Sequence, residues 1–409
     1  MMGELNQMLD IQSIPDGYKQ TEVGVIPEDW DICELQVAVD FLDGQRRPIK
    51  SGDRAKISGP YPYYGASGIV DYVNDYIFDD NLILLGEDGE NILSRNLPLA
   101  FMVSGKIWVN NHAHVMKPKD SFDIIYLTEY LESQDYSLLN SGTAQPKLNK
   151  QTCLKIKVIK PNKKEQTAIA NVLSDTDALI TGLEQLIAKK QSIKTAAMQQ
   201  LLTGRTRLPQ FAKQPNETTN GYKFTELGYI PEDWEIHEIG KFAPLQRGFD
   251  LPAGKRHEGS YPVVYSNGIV NTHNHFQVKG PGVVTGRSGT LGKVHYIECD
   301  FWPHNTSLWV TKFINSDPRF VYYIFKYIDF ERFASGSGVP TLNRNDAHSF
   351  KVAIPSSLKE QITIATILSD MDDELEALEQ KLTKACDIKQ GMMQQLLTGR
   401  IRLPLDNQP

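Results

Sequence analysis

No run in this chain approaches the roughly 18 consecutive apolar residues that would suggest a membrane-crossing helix. Its first residues carry Glu4 and Asp10 where a secretory signal needs a basic segment followed by an apolar core. Cysteine is sparse. Cys33, Cys153, Cys299 and Cys386 lie scattered over 409 residues without paired spacing, which argues against a disulfide framework or a zinc knuckle and fits a reducing cytoplasm. Catalytic fingerprints are missing too: there is no Gly-x-Ser-x-Gly elbow, no glycine-rich cofactor loop after a strand, and no Asn/Asp-Pro-Pro-aromatic segment of the sort amino-methyltransferases use. The stretch Gly280 to Ser288 mimics a phosphate loop, but its glycine spacing is wrong and its lysine absent. His112 with His114, and His273 with His275, place imidazoles two apart with no carboxylate or cysteine spaced to complete a metal site. These absences describe a chain that recognises rather than reacts.

An excess of positive charge is lacking as well, with 43 Lys and Arg against 50 Asp and Glu, for a formal net charge of −7. Taken alone this disfavours a nucleic-acid binder, because phosphate neutralisation supplies most of such affinity. The charge is unevenly placed, however. Segments 1–30 and 211–234 together carry about −7, residues 31–160 about −3 and residues 235–354 about +3. Acidic leaders therefore mask a modestly basic segment, and the total neither supports nor excludes DNA.

What the chain does have is a repetition about two hundred residues long. Gly17-Tyr18-Lys19, Thr21-Glu22 and Ile26-Pro27-Glu28-Asp29-Trp30 return as Gly221-Tyr222-Lys223, Thr225-Glu226 and Ile230-Pro231-Glu232-Asp233-Trp234. Glu165-Gln166 opens a helical stretch closing on Leu201-Leu202-Thr203-Gly204-Arg205, and Glu360-Gln361 opens another closing on Leu396-Leu397-Thr398-Gly399-Arg400. So long a period is a tandem duplication, since solenoid repeats run from about 20 to 50 residues.

Asn162 three before Glu165, and Ser357 three before Glu360, are helix-start signals. Gly204 and Gly399 stand where a C′ glycine ends a helix. Between them apolar residues recur at three- and four-residue steps, including Leu173, Leu179, Leu183, Leu186 and Ile193 in the first helix and Leu368, Leu375, Leu378, Leu382 and Ile388 in the second. That pattern favours a coiled coil. About 40 residues make a rod of about 60 Å, and the two copies are the natural antiparallel partners. Packing of each helix on its own insert, or pairing between chains, are the alternatives.

The inserts, about 31–160 and 235–354, read as short strands and glycine turns with one helix each, near Asp123 to Glu132 and Pro318 to Phe333. Only fragments correspond between them: Gly68-Ile69-Val70 with Gly268-Ile269-Val270, Gly86-Glu87-Asp88-Gly89 with Gly286-Arg287-Ser288-Gly289, and Leu148-Asn149 with Leu342-Asn343. The inserts thus share a fold and differ in surface. Arg46, Arg47, Lys50, Arg54 and Lys56 in the first, and Arg247, Lys255, Arg256 and Arg287 in the second, are candidates to contact DNA.

In its leaders, helix starts and helix endings, all in duplicated order, the whole chain resembles the specificity (S) subunit of type I restriction-modification systems. The resemblance implies an α+β fold: two mixed α/β target recognition domains (1–160 and 209–354) separated by an antiparallel coiled coil of two long helices (161–208 and 355–409), with a pseudo-twofold internal repeat. It implies that each domain reads one half of a bipartite, asymmetric site in double-stranded DNA while the coiled coil sets the spacer. It also implies two methyltransferase (M) subunits that bind S-adenosylmethionine and methylate adenine N6, and two restriction (R) subunits that use ATP and Mg. This chain itself would be cytoplasmic and non-catalytic, binding no cofactor or metal and no membrane. By the same resemblance the DNA-facing loops hold Ser67, Gly68, Gly142, Thr143, Gln145, Lys147 and Asn149 in the first domain. In the second they hold Ser266, Asn267, Ser337, Thr341 and Asn343, with Ser288 and Arg344 as further DNA-contact candidates. The competing readings are a stand-alone nuclease or methyltransferase, which the missing motifs oppose, and a protein-binding coiled-coil adaptor without DNA readout.

Overall fold

The structure, a computed structural model, describes residues 14–142, 145–212, 221–335 and 340–404. Its longer helices are α1 (Ile124–Glu132), α2 (Lys163–Leu201), α3 (Pro318–Ile328) and α4 (Leu358–Leu396). Among the described residues no helix is long and apolar enough to cross a membrane. The chain divides into two compact units, residues 1–183 with 381–409, and residues 184–380. This division differs from one that sets the long helices apart as 161–208 and 355–409. Each unit contains half of α2 and half of α4.

In the first unit the leader forms a hairpin, Tyr18–Thr21 against Gly24–Pro27, turning at Gly24 with φ of +109°, a region open to glycine. Strand Asp31–Glu34 pairs antiparallel with Lys157–Lys160, so the insert leaves and returns side by side. Between them lies an antiparallel sheet in the order Val39–Phe41, Ala113–Pro118, Leu82–Gly86, Ala100–Val103. Leu82 through Leu85 are wholly buried, as in a strand covered on both faces. A second sheet runs Gly68–Val73, Tyr61–Gly65, Lys106–Val109, Phe78–Asp79. Helix α1 starts where Asp123 accepts the backbone N–H groups of Ile125 and Tyr126.

The second unit repeats this plan. Tyr222–Thr225 pairs with Gly228–Pro231, and Trp234–Glu238 with Lys351–Pro355. One sheet runs Leu245–Arg247, Ser307–Val310, Gly282–Gly286, Val294–Ile297, and the other Gly268–His273, Tyr261–Tyr265, Trp302–Pro303. Asp317 caps α3 by accepting from Phe320 N.

The repeated motifs meet at one clamp in each unit. In the first, Trp30 Nε1 donates to Glu165 Oε2 at 2.9 Å. Arg402 donates to Glu165 through Nε and Nη2, both at 2.8 Å, and to Asp29 through Nη1 and Nη2. In the second, Arg207 makes the same bonds to Glu360 and Asp233. The leader of each unit is therefore locked to the start of one long helix and to the chain just past the end of the other. Gly204 and Gly399 end their helices at φ of +69° and +70°. A Cβ at Gly399 would lie 2.4 Å from Pro27 Cδ, and one at Gly204 2.5 Å from Pro231 Cδ. Gln166 Oε1 accepts from Asp123 N, and its Nε2 donates to Ser121 and Pro161 carbonyls; Gln361 does the same with Asp317, Asn315 and Pro355. Sequence reasoning missed Arg207 and Arg402, and it read Glu165 and Glu360 only as capping partners. The signal was there in the repeated Arg-Leu-Pro after each helix end.

Within both units the helix halves run antiparallel. Thr176 faces Met392 and Asp177 faces Lys389 in the first; Lys190 faces Glu374 and Lys194 faces Asp372 in the second. The less exposed positions, buried or half-buried, include an unbroken four-three rhythm: Leu173, Thr176, Ile180, Leu183, Ile187, Lys190, Lys194, Ala197 and Leu201 in α2, and Ile364, Leu368, Met371, Leu375, Leu378, Leu382, Ala385, Lys389, Met392 and Leu396 in α4. Leu173, Leu183, Leu368, Leu375, Leu378 and Leu382 stand on this seam as expected. Leu179, Leu186, Ile193 and Ile388 do not: they are 56 %, 38 %, 45 % and 43 % exposed. Their neighbours Ile180, Ile187, Lys194 and Lys389 take the seam instead. Lys194 and Lys389 are tolerated there because each carries a carboxylate partner from the opposite helix.

Candidate nucleic-acid interface

In each unit three loops converge at one end of the sheet that contains Leu82–Gly86 or Gly282–Gly286, and three matching backbone bonds join them. In the first, Glu87 N donates to His112 O at 2.8 Å, Leu148 N to Glu87 O at 2.7 Å and Gly89 N to Pro146 O at 3.0 Å. In the second, Arg287 N donates to Thr306 O at 2.9 Å, Leu342 N to Arg287 O at 2.8 Å and Gly289 N to Pro340 O at 3.1 Å. The turn 65–68 joins the first cluster, since a Cβ on Gly86 would come within 2.8 Å of Ala66 O. Its counterpart joins the second through Ser266 N, which donates to Thr306 Oγ1 at 3.4 Å. Gly68 and Gly268, at φ of +130° and +125°, make both turns possible. One scaffold thus presents two different sets of side chains.

Several first-unit candidates are spent inside the fold. Arg46 Nη1 donates to Glu87 Oε2 and to Ala113 O, each at 2.7 Å. Arg54 holds Asp71 at 2.9 Å and the Ile49 carbonyl, and its guanidinium lies over the Tyr63 ring. These two arginines are structural ties, not free cations. Lys56 pairs with Asp53 on the surface, and Lys147 reaches Glu87 at 3.4 Å. Arg47 and Lys50 are exposed and form no ion pair among the described residues. Asn149 caps the turn Lys150–Cys153 by accepting from Thr152 N, and Asn343 caps Arg344–His348 by accepting from Asn345 N. The shared Leu-Asn pair is therefore a buried anchor, Leu148 or Leu342, followed by a helix cap. Gly142 is required sterically, because a Cβ there would sit 1.7 Å from Gln145 O. Gln145 is exposed and Ser67 half-buried. Thr143 and Ser337 fall outside the described residues.

In the second unit Arg247 pairs with Asp250 at 3.1 Å, and Lys255, Arg256, Asn267, Thr341, Asn343 and Arg344 are exposed. Ser266 is buried. Ser288 bridges to Thr341. Arg287 is half-buried, with Nη1 donating to Asn305 O at 3.4 Å.

The paired histidines serve packing and positioning. His114 is buried, its Nδ1 donating to Asp43 at 2.8 Å and its Nε2 to the Leu148 carbonyl at 3.0 Å. With an acceptor on each nitrogen the ring is held as the imidazolium. Burial opposes that charge, but the Asp43 bond prevails and raises the pKa to about 10. Burial also works against the Asp43 charge, yet the bond from His114 holds its carboxyl below the usual range. His112 lies at the surface against Asp88 at 2.9 Å, and His273 is buried beside Trp302. Among the described residues no group of three His, Cys, Asp or Glu is arranged to hold a metal.

These features define a duplicated recognition module on a helical frame, and comparison with known proteins agrees. The model of the type I restriction modification DNA specificity domain matches residues 27–195 and again 231–385. The chain belongs to that family, the specificity subunits of type I restriction-modification systems. Similar proteins include a putative type I restriction enzyme specificity subunit of Haemophilus influenzae, 27 % identical over 361 residues that cover 86 % of this chain and 88 % of the relative. A type I restriction enzyme specificity subunit of Methanocaldococcus jannaschii is 22 % identical, covering 95 % and 96 %. The crystal structure of the M. genitalium S subunit shares the fold, with a TM-score of 0.65 and 17 % identity over 90 % of this chain and 96 % of that one.

Proposed function

We propose that this chain is the non-catalytic subunit that gives a type I restriction-modification enzyme its DNA sequence specificity. Each recognition domain reads one half of a bipartite, asymmetric duplex site. The observation that carries this reading is the pair of loop clusters, which share three matching backbone bonds and differ in side chains. Two surfaces of one shape and different chemistry suit two different half-sites; two identical surfaces would suit a palindrome.

In this reading the paired helices fix the spacer and offer a docking surface to two M subunits. These bind S-adenosylmethionine and transfer its methyl group to adenine N6, a target that must leave the base stack. Two R subunits contribute ATP- and Mg-dependent restriction. The chain would work in the cytoplasm. Co-expression with its M subunit, followed by methylome sequencing of the host, tests the assignment. The expected result is N6-methyladenine in a split, asymmetric motif, with one half changed when one insert is exchanged. A continuous or palindromic motif would contradict it, and methylation without sequence preference would favour the adaptor reading.

A further inference from the structure

The matched loops of the two units differ in charge at two adjacent positions. Where the first unit has Glu87-Asp88, the second has Arg287-Ser288 on the same backbone bonds. In the first unit the corner is closed on itself: Glu87 is neutralised by Arg46 at 2.7 Å and Lys147 at 3.4 Å, and Asp88 is held by His112. In the second it is open. Arg287 is half-buried, yet it has no carboxylate partner among the described residues, and its one polar side-chain contact is the weak bond to Asn305 O. Arg46, Arg54 and Arg207, half-buried as well, each hold a carboxylate.

A half-buried guanidinium without a carboxylate keeps N–H donors that water satisfies in the free protein and that a ligand with suitable acceptors would take over. The segments bonded to Arg287 offer Ser266, Ser288, Thr306 and Thr341, all uncharged. Exposed Lys255, Arg256 and Arg344 are better placed for phosphates, which position the protein without reading sequence. A recessed planar fork of N–H donors matches the O6 and N7 acceptors of guanine, which lie side by side on the major-groove edge.

We propose that Arg287 reads a guanine in the half-site of the second recognition domain, a contact that the first domain lacks because Glu87 stands in its place. This inference rests on the DNA-reading function above. The test uses the chain assembled with its M subunit and a randomised duplex library, selecting bound sequences for wild type, Arg287→Lys and Arg287→Gln. Wild type should select a guanine in the second half-site. Arg287→Gln should relax that position by roughly ten- to a hundredfold, while Arg287→Lys keeps a weaker guanine preference. The half-site of the first domain, read in the same experiment, should stay unchanged and reports that the variants are folded. A second half-site without guanine, or variants that weaken binding evenly at all positions, overturns the guanine assignment and leaves the recognition function standing. Wild type with no sequence preference removes the recognition function itself.

Discussion

Arg207 grips Glu360 through two bonds, Nε to Oε1 at 2.9 Å and Nη2 to Oε2 at 2.8 Å, although 153 residues separate them. The Glu360 side chain is 1 % exposed and that of Arg207 6 %, so removing one partner strands a buried charge. Arg207→Ala should destabilise the unit 184–380 by about 3–5 kcal/mol. The matching Arg402→Ala should cost less in the other unit. Arg402 is 38 % exposed, and Glu165 would keep its bond from Trp30, whereas the buried Nε1 of Trp234 has no partner. Urea titration combined with hydrogen exchange distinguishes the two. Equal losses, or loss of protection in the wrong unit, would contradict the clamp.

His114 makes the first unit sensitive to alkali. Its pKa is raised from 6.5 to about 10, so its ion pair stabilises the fold fully below pH 6.5. From there to about pH 10 the unfolded chain has lost that proton while the folded chain keeps it, and the contribution declines; above about 10 it is gone. Asp43, whose carboxyl is held low, loses its share only in acid, as the pH falls through its folded value. Urea midpoints measured from pH 6 to 10 should fall more steeply for wild type than for His114→Gln. Parallel curves would show that the pair contributes nothing to the pH dependence.

Lys194 and Asp372 place a charge on the coiled-coil seam, and the Tyr323 hydroxyl donates to the same carboxylate at 2.7 Å. Asp372→Leu alone should destabilise by about 3 kcal/mol, because it leaves Lys194 buried and unpaired. Adding Lys194→Leu and Tyr323→Phe should restore stability or exceed wild type by about 1–4 kcal/mol, as apolar replacements of buried pairs do. The cost would appear in specificity, since a polar seam residue fixes register and partner number. Light scattering should then show association between chains. A triple variant that keeps the wild-type mass in solution and is less stable would mean that the pair serves stability alone.

The same seam explains how far the sequence could be read. The duplicated leaders, the long helices and their glycine ends are local patterns, and the structure places them as expected. Leu179, Leu186, Ile193 and Ile388 misled because each is an apolar residue one step from the seam, where periodicity alone favours it over Lys194 or Lys389. Only the partner helix, which supplies Asp372 and Asp177, reveals why lysine wins. The loop residues were harder. Arg46 and Arg54 look like Arg287 in sequence, and what separates them is Glu87 or Asp71 brought up from elsewhere in the chain. Long-range ion pairing of this kind leaves no local signature.

The proposed spacer role predicts the effect of lengthening both long helices. Each charged seam pair lies within its own unit: Lys389 with Asp177 in the first, Lys194 with Asp372 in the second. Seven residues inserted after Leu183 and seven after Gln380 fall between those pairs and leave both intact. The four-three rhythm continues through a heptad, so the added turns bury two more layers on each helix. The rod should lengthen by roughly 10 Å. Methylome sequencing should then show a longer spacer flanked by the two original half-sites. An insertion in α2 alone should instead mismatch the seam, lowering stability and methylation together. Altered half-site bases with an unchanged spacer would show that the helices do not measure the distance, and that the division of labour between rod and recognition domains is wrong.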